Sequence, residues 1–291
     1  MFFLKDLFKF YIRSDWVKAS GLILLGIVAG ATPNLIQLLS ETGLYIGIVA
    51  ASLLLCHARL INDFYDAKKC NEQNNLTHYV EVLGEKFVFF LVNVPLIFAI
   101  ILFLLIRIRI LSFMLFALFV FFSVVYSAPK KRLRDNWILG FVLNPLLAEL
   151  IFMASFLIYG EINNSFFVLS AGVLSFYFIS ELVHELSHLE KDKGTGRVTL
   201  VMKIGKDKIA KFLSGLWRIY PLLILISFFL YFVDFKIAVL FSIFSVFNIW
   251  RFFKLKEIDS EKNLECLRSS LLGKTEILLY IFYFIILSIV Y

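Results

Sequence analysis

The chain has 291 residues, 60% of them hydrophobic and 34 of them Phe, with 29 Lys and Arg against 22 Asp and Glu for a net charge of +7. That leaves far too little polar sequence to cover a soluble domain of this length, so the surplus apolar surface faces lipid. The positive balance reads as a topology signal rather than a nucleic-acid footprint, because the cations fall almost wholly between alternate apolar runs.

Apolar runs of about 17–25 residues cross a bilayer as helices. Nine are predicted, at 19–39, 42–62, 87–106, 110–127, 137–158, 165–187, 214–233, 235–251 and 274–290. The gaps 40–42 and 107–109 predict tight helical hairpins. The first run is long and no small-residue cleavage site precedes a polar sequence, so no cleavable signal peptide is expected. With the N-terminus inside, the inner segments are 1–18, 63–86, 128–136, 188–213 and 252–273, and with their helix ends they hold nearly all the Lys and Arg. The outer turns hold only Arg107, Arg109 and Lys236. This positive-inside asymmetry places the N-terminus and the polar loops on the cytosolic side. Cys56, Cys70 and Cys266 lack CxxC spacing, and a reducing face disfavours a structural disulfide. No linker or low-complexity tract interrupts the chain, so residues 1–291 read as a single integral membrane domain with lipid as its surroundings, no nucleic-acid partner and no obligatory protein partner evident.

Three inner segments carry chemistry-bearing residues. The first is Arg59-Leu-Ile-Asn62-Asp63-Phe-Tyr-Asp66, closing the second run. If the helix continues, Asp63 and Asp66 share a face, and two carboxylates so placed suit Mg²⁺, a hard cation that bridges to phosphate oxygens. An ordinary polar helix end accounts for the same residues equally well. The second is Tyr126-Ser-Ala-Pro129-Lys130-Lys131-Arg132-Leu-Arg134, where Pro129 stops a helix and four cations follow within five residues. Guanidinium forks bind phosphate bidentately, and a positive-inside anchor explains the charge alone. The third is the stripe Glu181, His184, Glu185, His188 and Asp192, repeating at three or four residues, followed by Gly196, Arg197, Thr199, Leu200 and Gly205. Ionisable groups at a membrane helix end require partners, which a metal with a bound polyanion supplies. Glu149 and Glu181 each either line a pocket or make a helix–helix hydrogen bond, and Asn93 and Asn144 read as interhelical glue. The charged segment 252–273 alternates in sign like a solvated helix face.

Together these segments resemble the UbiA superfamily of intramembrane prenyltransferases. Asn62-Asp63-x-x-Asp66 is similar to its first aspartate-rich motif, Tyr126-Ser-Ala-Pro129…Arg132-Leu-Arg134 to its Tyr-x-x-Pro-Pro-x-Arg-x-Lys segment, and Asp192-x-x-x-Gly196-x-x-Thr199-Leu200…Gly205 to the tail of its second aspartate-rich motif. Tyr11-Ile-Arg13-Ser-Asp-Trp16 resembles the stretch before the family's first helix. The departures are Cys70, Glu185 and His188 where Asp is usual, Arg134 for Lys and Lys130 for the second Pro.

The resemblance implies an all-α polytopic protein, about nine transmembrane helices in a bundle around a central cavity opening to the cytosolic face. It implies a prenyltransferase that moves a prenyl group from a prenyl diphosphate to a lipophilic, aromatic or lipid, acceptor. Mg²⁺ would be held by Asp63, Asp66 and Asp192, with Glu185. Arg59, Asn62, Tyr126, Lys130, Arg132, Arg134, Glu185, His188 and Arg197 would bind substrate. A terpene cyclase acting on the same diphosphate, or a non-catalytic prenyl-lipid-binding relative, fits the same resemblance. A competing motif lies in the third segment: His184-Glu185-Leu186-Ser187-His188 matches HExxH, the helix signature of zinc proteases. No persuasive third ligand follows it, and it leaves the first two segments unexplained.

Overall fold

The computed structural model describes residues 10–11, 14–31, 42–68, 76–128, 132–189, 192, 198–209 and 211–212. Among them the secondary structure is helical throughout: α1 (Ser14–Ala31), α2 (Thr42–Ala67), α3 (Thr77–Leu83), α4 (Glu85–Ile106), α5 (Ile110–Ser127), a 3₁₀ turn at Leu133–Asp135, α6 (Trp137–Phe156), α7 (Asn164–Ser187) and α8 (Leu200–Ile204). Helices α2, α4, α5 and α6 are long and apolar enough to cross a membrane. Helix α7 has the length, but Glu181, His184 and Glu185 break its apolar run. The predicted runs at 214–233, 235–251 and 274–290 lie outside the described residues, as do residues 40 and 41 of the predicted 40–42 gap.

The described residues fall into two compact units, one spanning Met1–Arg134 and Leu146–Glu161, the other Asp135–Pro145 and Ile162–Tyr291. In the first unit α2 packs against α1, α4 and α5. Its buried positions Leu44, Gly47, Ala50, Ala51, Leu54, His57, Ile61 and Phe64 recur every three or four residues, which is one face of a 3.6-residue helix. Small residues at Gly47, Ala50 and Ala51 let neighbouring helices come close, the usual solution where lipid removes the hydrophobic drive between helices. At the far end of α2, Leu60, Ile61 and Phe64 join Phe10, Leu76, Val88, Leu91 and Val92 in one apolar cluster. The Tyr11 hydroxyl donates to the Leu91 carbonyl at 2.9 Å beside this cluster.

The exposed faces of α4 and α5 carry Phe89, Phe90, Phe98, Leu104, Leu105, Ile110, Met114 and Phe121. A continuous apolar surface of that extent is stable only against lipid. Between these helices the 107–109 hairpin is as tight as predicted. It turns on Arg107, whose φ of 51° is left-handed, and Arg109 fastens it by donating to the Gly160 carbonyl and pairing with Glu161.

Helix α1 crosses the second half of α6 at backbone range. A Cβ built on Gly26 would lie 2.7 Å from the Phe152 carbonyl oxygen, and one on Gly30 would overlap the Phe156 carbonyl. On the other side of α6, the Ser112 hydroxyl of α5 donates to the Ala154 carbonyl at 2.6 Å.

In the second unit, Asn136 starts α6 by accepting from the amides of Ile138 and Leu139, and Asn163 starts α7 by accepting from Phe166. These satisfy amide donors that a helix N-terminus leaves open. Ile179, Leu182, Val183, Leu189, Val201 and Ile209 form the apolar cluster that binds the end of α7 to α8.

Candidate functional site

Two features set up the first constellation. Helix α2 has 26 residues, about 39 Å at 1.5 Å per residue, against a hydrocarbon core of roughly 30 Å. It therefore runs past its apolar stretch and carries Asn62, Asp63 and Asp66 on its last turns. Helix α5 stops at Ser127 because Ala128 precedes Pro129 and adopts extended backbone, φ −61° and ψ 141°, as a residue before proline does. The chain then returns through the 3₁₀ turn with Arg132 and Arg134 against α2.

Asp66 sits at the centre. Arg132 Nη1 donates to Asp66 Oδ1 at 2.9 Å, and Arg134 spans the carboxylate with Nη2 on Oδ1 at 2.8 Å and Nη1 on Oδ2 at 2.9 Å. Asn62 Nδ2 donates to Asp66 Oδ2 at 3.3 Å, and Asn62 Oδ1 accepts from Arg134 Nη1 at 2.9 Å and from Ser127 Oγ at 3.2 Å. Arg132 Nη2 also donates to the Tyr65 carbonyl at 2.6 Å. A cation on one of the last carbonyls of a helix satisfies an orphan acceptor and opposes the helix dipole. The three charged side chains are only 3–11% exposed. Burying charges is costly unless they are paired and hydrogen-bonded, and here one carboxylate and two guanidiniums meet both conditions with a net charge of +1.

The other predicted residues of this unit lie around the cluster. Asp63 is half-buried beside it, Tyr126 is half-buried on the last turn of α5, and Arg59 is exposed one turn before Asn62 on α2. Lys130 lies outside the described residues. Nearby, Lys68 pairs with Glu85 and lies 5.7 Å from the centre of the Phe64 ring.

The second constellation is on α7 and the segment after it. Glu185 is buried, and its Oε2 accepts from the Val201 amide at 3.1 Å. The Thr199 hydroxyl accepts from Met202 at 3.4 Å, so two side chains cap the N-terminus of α8. The His184 and His188 rings meet edge to face, centroids 4.8 Å apart. The Asp192 amide donates to the His188 carbonyl at 2.8 Å, and Asp192 is buried. Asn144 Nδ2 donates to Glu181 Oε2 at 2.6 Å, so Asn144 is interhelical glue and Glu181 its acceptor. Glu149 is buried on α6. Arg197 lies outside the described residues. Replacing Glu185 with Ala should cost about 1–3 kcal/mol, the price of a buried amide left without its acceptor, and Glu185→Gln should recover most of it. Thermal melts in detergent measure both; unchanged melting of Glu185→Ala would contradict the capping role.

The sequence of residues 19–272 matches the UbiA prenyltransferase family. The chain belongs to that family.

Its fold is the UbiA fold of an integral membrane protein. A UbiA homolog from Archaeoglobus fulgidus bound to GPP and Mg²⁺ has a TM-score of 0.71 at 16% identity, covering 97% of this chain and 99% of its own. A homolog from that organism bound to Cd²⁺ gives 0.72 at 19% identity over 94% and 96%. A structure of digeranylgeranylglyceryl phosphate synthase gives 0.67 at 17% identity over 98% of both chains. Likeness at these identities speaks for the fold. No curated protein sequence matches the chain.

UbiA membership makes the fit of a divalent metal worth testing on these residues. The donor chemistry is suitable, since Asp63, Asp66 and Asp192 offer hard carboxylate oxygens. At Asp66 those oxygens meet protein donors in this structure. A carboxylate has about four lone-pair positions, and two guanidiniums and Asn62 fill them. Sequence reasoning treated Asp66 as a metal ligand and the arginines as phosphate ligands, whereas the structure joins them to one another. Among the described residues no three His, Cys, Asp or Glu side chains gather as a metal cage. The HExxH segment gains no third ligand among the described residues, and its Glu185 accepts from the Val201 amide. Ser127 and the Tyr65 carbonyl were not foreseen as part of the site; the polar residue following Tyr126 was the available signal for the first, and there was none for the second.

Proposed function

We propose that this chain transfers a prenyl group from a prenyl diphosphate to a lipophilic acceptor within the membrane. The observation that carries the reading is the buried Arg132–Asp66–Arg134 cluster with its surplus positive charge, at the end of a membrane helix in a UbiA family member. The reading is supported by the GPP and DMAPP complexes of the A. fulgidus homolog.

In the proposed reaction the bond between the prenyl C1 and the diphosphate oxygen breaks, and its electron pair leaves with pyrophosphate. The allylic cation is captured by a nucleophilic carbon or oxygen of the acceptor, which then gives up one proton. Arg132 and Arg134 receive the growing negative charge on the leaving group, and Asn62 holds the Arg134 fork in place. Preorganised donors aimed at developing charge are usually the largest contribution in such sites. Arg59, Tyr126, Lys130, His188 and Arg197 are further proposed contacts to substrate. Glu185 acts by holding α8. Mg²⁺ is the proposed cofactor, as in the homolog, and Asp63 and Asp192 are the carboxylates that would hold it. When bound, it supplies additional neutralisation of the leaving diphosphate. The apolar surroundings keep water from quenching the cation, and the cluster lies on the cytosolic side by the positive-inside pattern.

Incubating detergent-purified protein with labelled prenyl diphosphates of graded length, membrane lipid extract and Mg²⁺ tests this. Pyrophosphate and a prenylated lipid should appear in equal amounts by mass spectrometry. A prenyl hydrocarbon without acceptor mass would replace transfer with cyclisation, and no pyrophosphate above the protein-free control at any chain length would overturn the reading.

A further inference from the structure

We propose that the lysine-rich surface made by α8 and the helical residues after it docks the headgroups of anionic phospholipids, independently of the activity proposed above. Lys203, Lys206, Lys208 and Lys211 are all exposed, and Asp207 is the one acid among residues 203–212. Among the described residues neither Lys203 nor Lys208 has an ion-pair partner.

The local fold decides which way these side chains face. Gly205 has φ 97° and ψ 139°, a backbone conformation that glycine adopts without steric cost. Its amide donates to the Val201 carbonyl at 2.8 Å and closes α8, while its carbonyl accepts from the Ile209 amide at 3.2 Å and opens the next helical turn. Val201 before this glycine and Ile209 after it are both buried in the apolar cluster at the end of α7. With the two short stretches held by these anchors, the lysines stay on the outside.

The apolar content of the surface separates it from an ordinary solvated charged face. Val198, Ile204 and Phe212 are exposed among the lysines, Phe212 by 54%. A half-exposed phenyl ring gains nothing from water. A basic surface with apolar side chains between its charges matches the boundary between headgroups and acyl chains. The position along the chain agrees, because the predicted apolar run at 214–233 begins two residues beyond Phe212. Lysines clustered directly beside a membrane span attract anionic lipid, each strengthening the attraction about five-fold.

Amide hydrogen exchange of the full chain in nanodiscs tests this, comparing phosphatidylcholine alone with phosphatidylcholine plus phosphatidylglycerol. Phosphatidylglycerol should slow exchange across residues 200–212 several-fold and leave α5, whose exposed face is apolar, unchanged. Lys203→Gln combined with Lys208→Gln should weaken the local attraction by about 25-fold and erase the difference. Equal exchange of the wild type in the two lipids overturns the proposal, and so does protection that the double variant retains. Should the variant exchange faster in phosphatidylcholine as well, it has lost local structure, and salt decides on the wild type instead. High ionic strength must then abolish the phosphatidylglycerol effect, and a salt-independent effect overturns the proposal. Equal protection by inorganic pyrophosphate in phosphatidylcholine discs would make this a site for free phosphates and would likewise overturn lipid docking.

Discussion

Arg134→Met should reduce prenyl transfer at saturating Mg²⁺ by about 100- to 1,000-fold, the range seen when one preorganised donor to a developing anion is removed. Arg134 makes three of the hydrogen bonds in the cluster, two to Asp66 and one to Asn62. Arg132 remains as a counter-ion for Asp66, so the variant should still fold, with a loss nearer the 1.5–3 kcal/mol typical of a charged hydrogen bond than that of an unpaired buried charge. Arg134→Lys is the sharper comparison. A lysine keeps the charge but cannot span both oxygens of a carboxylate or phosphate, so transfer should still fall more than about ten-fold. Pyrophosphate release by monodisperse protein reads both variants. Full activity in Arg134→Lys would show that charge alone suffices and that the fork geometry is incidental.

The residues of this cluster were legible in the sequence, but their pairing was not. Asn62, Asp63 and Asp66 announced themselves by helical spacing at the end of an apolar run, and Pro129 fixed where α5 stops. Spacing within one helix reports which side chains share a face. Whether Arg132 and Arg134 then meet phosphate or Asp66 depends on the path of the returning chain, here a 3₁₀ turn that no periodicity encodes. Glu185 makes the same point. Its place in the polar stripe of α7 was right, but its partner is a backbone amide sixteen residues on, and amides leave no mark in the sequence. Helix α2 also outran its predicted end at residue 62 and continues to Ala67. Hydropathy stops at the first charges, whereas the helix stops where its backbone partners do, and Arg132 supplies one of them at Tyr65.

The α1–α6 crossing has a pattern in the sequence: Gly26 and Gly30 stand four apart in an apolar helix, the spacing that lets two membrane helices touch backbone to backbone. Gly30→Val should therefore be among the most damaging single changes in the first unit. Its Cβ would overlap the Phe156 carbonyl oxygen and approach the Gly160 amide nitrogen to 3.1 Å, and both are backbone atoms that cannot swing aside. The helices must separate, giving up contacts along their length. The expected cost is about 3 kcal/mol or more, the upper end for overpacking a well-packed core. Gly43→Ala is the control, since a Cβ there meets only the Tyr159 hydroxyl at an ordinary 3.6 Å. Removing a helical glycine at an open position should stabilise by roughly 0.5–1 kcal/mol. Thermal melts of the two variants in the same detergent should move in opposite directions from the wild type. Gly30→Val melting with the wild type would mean that α1 and α6 are not held at backbone contact in the membrane.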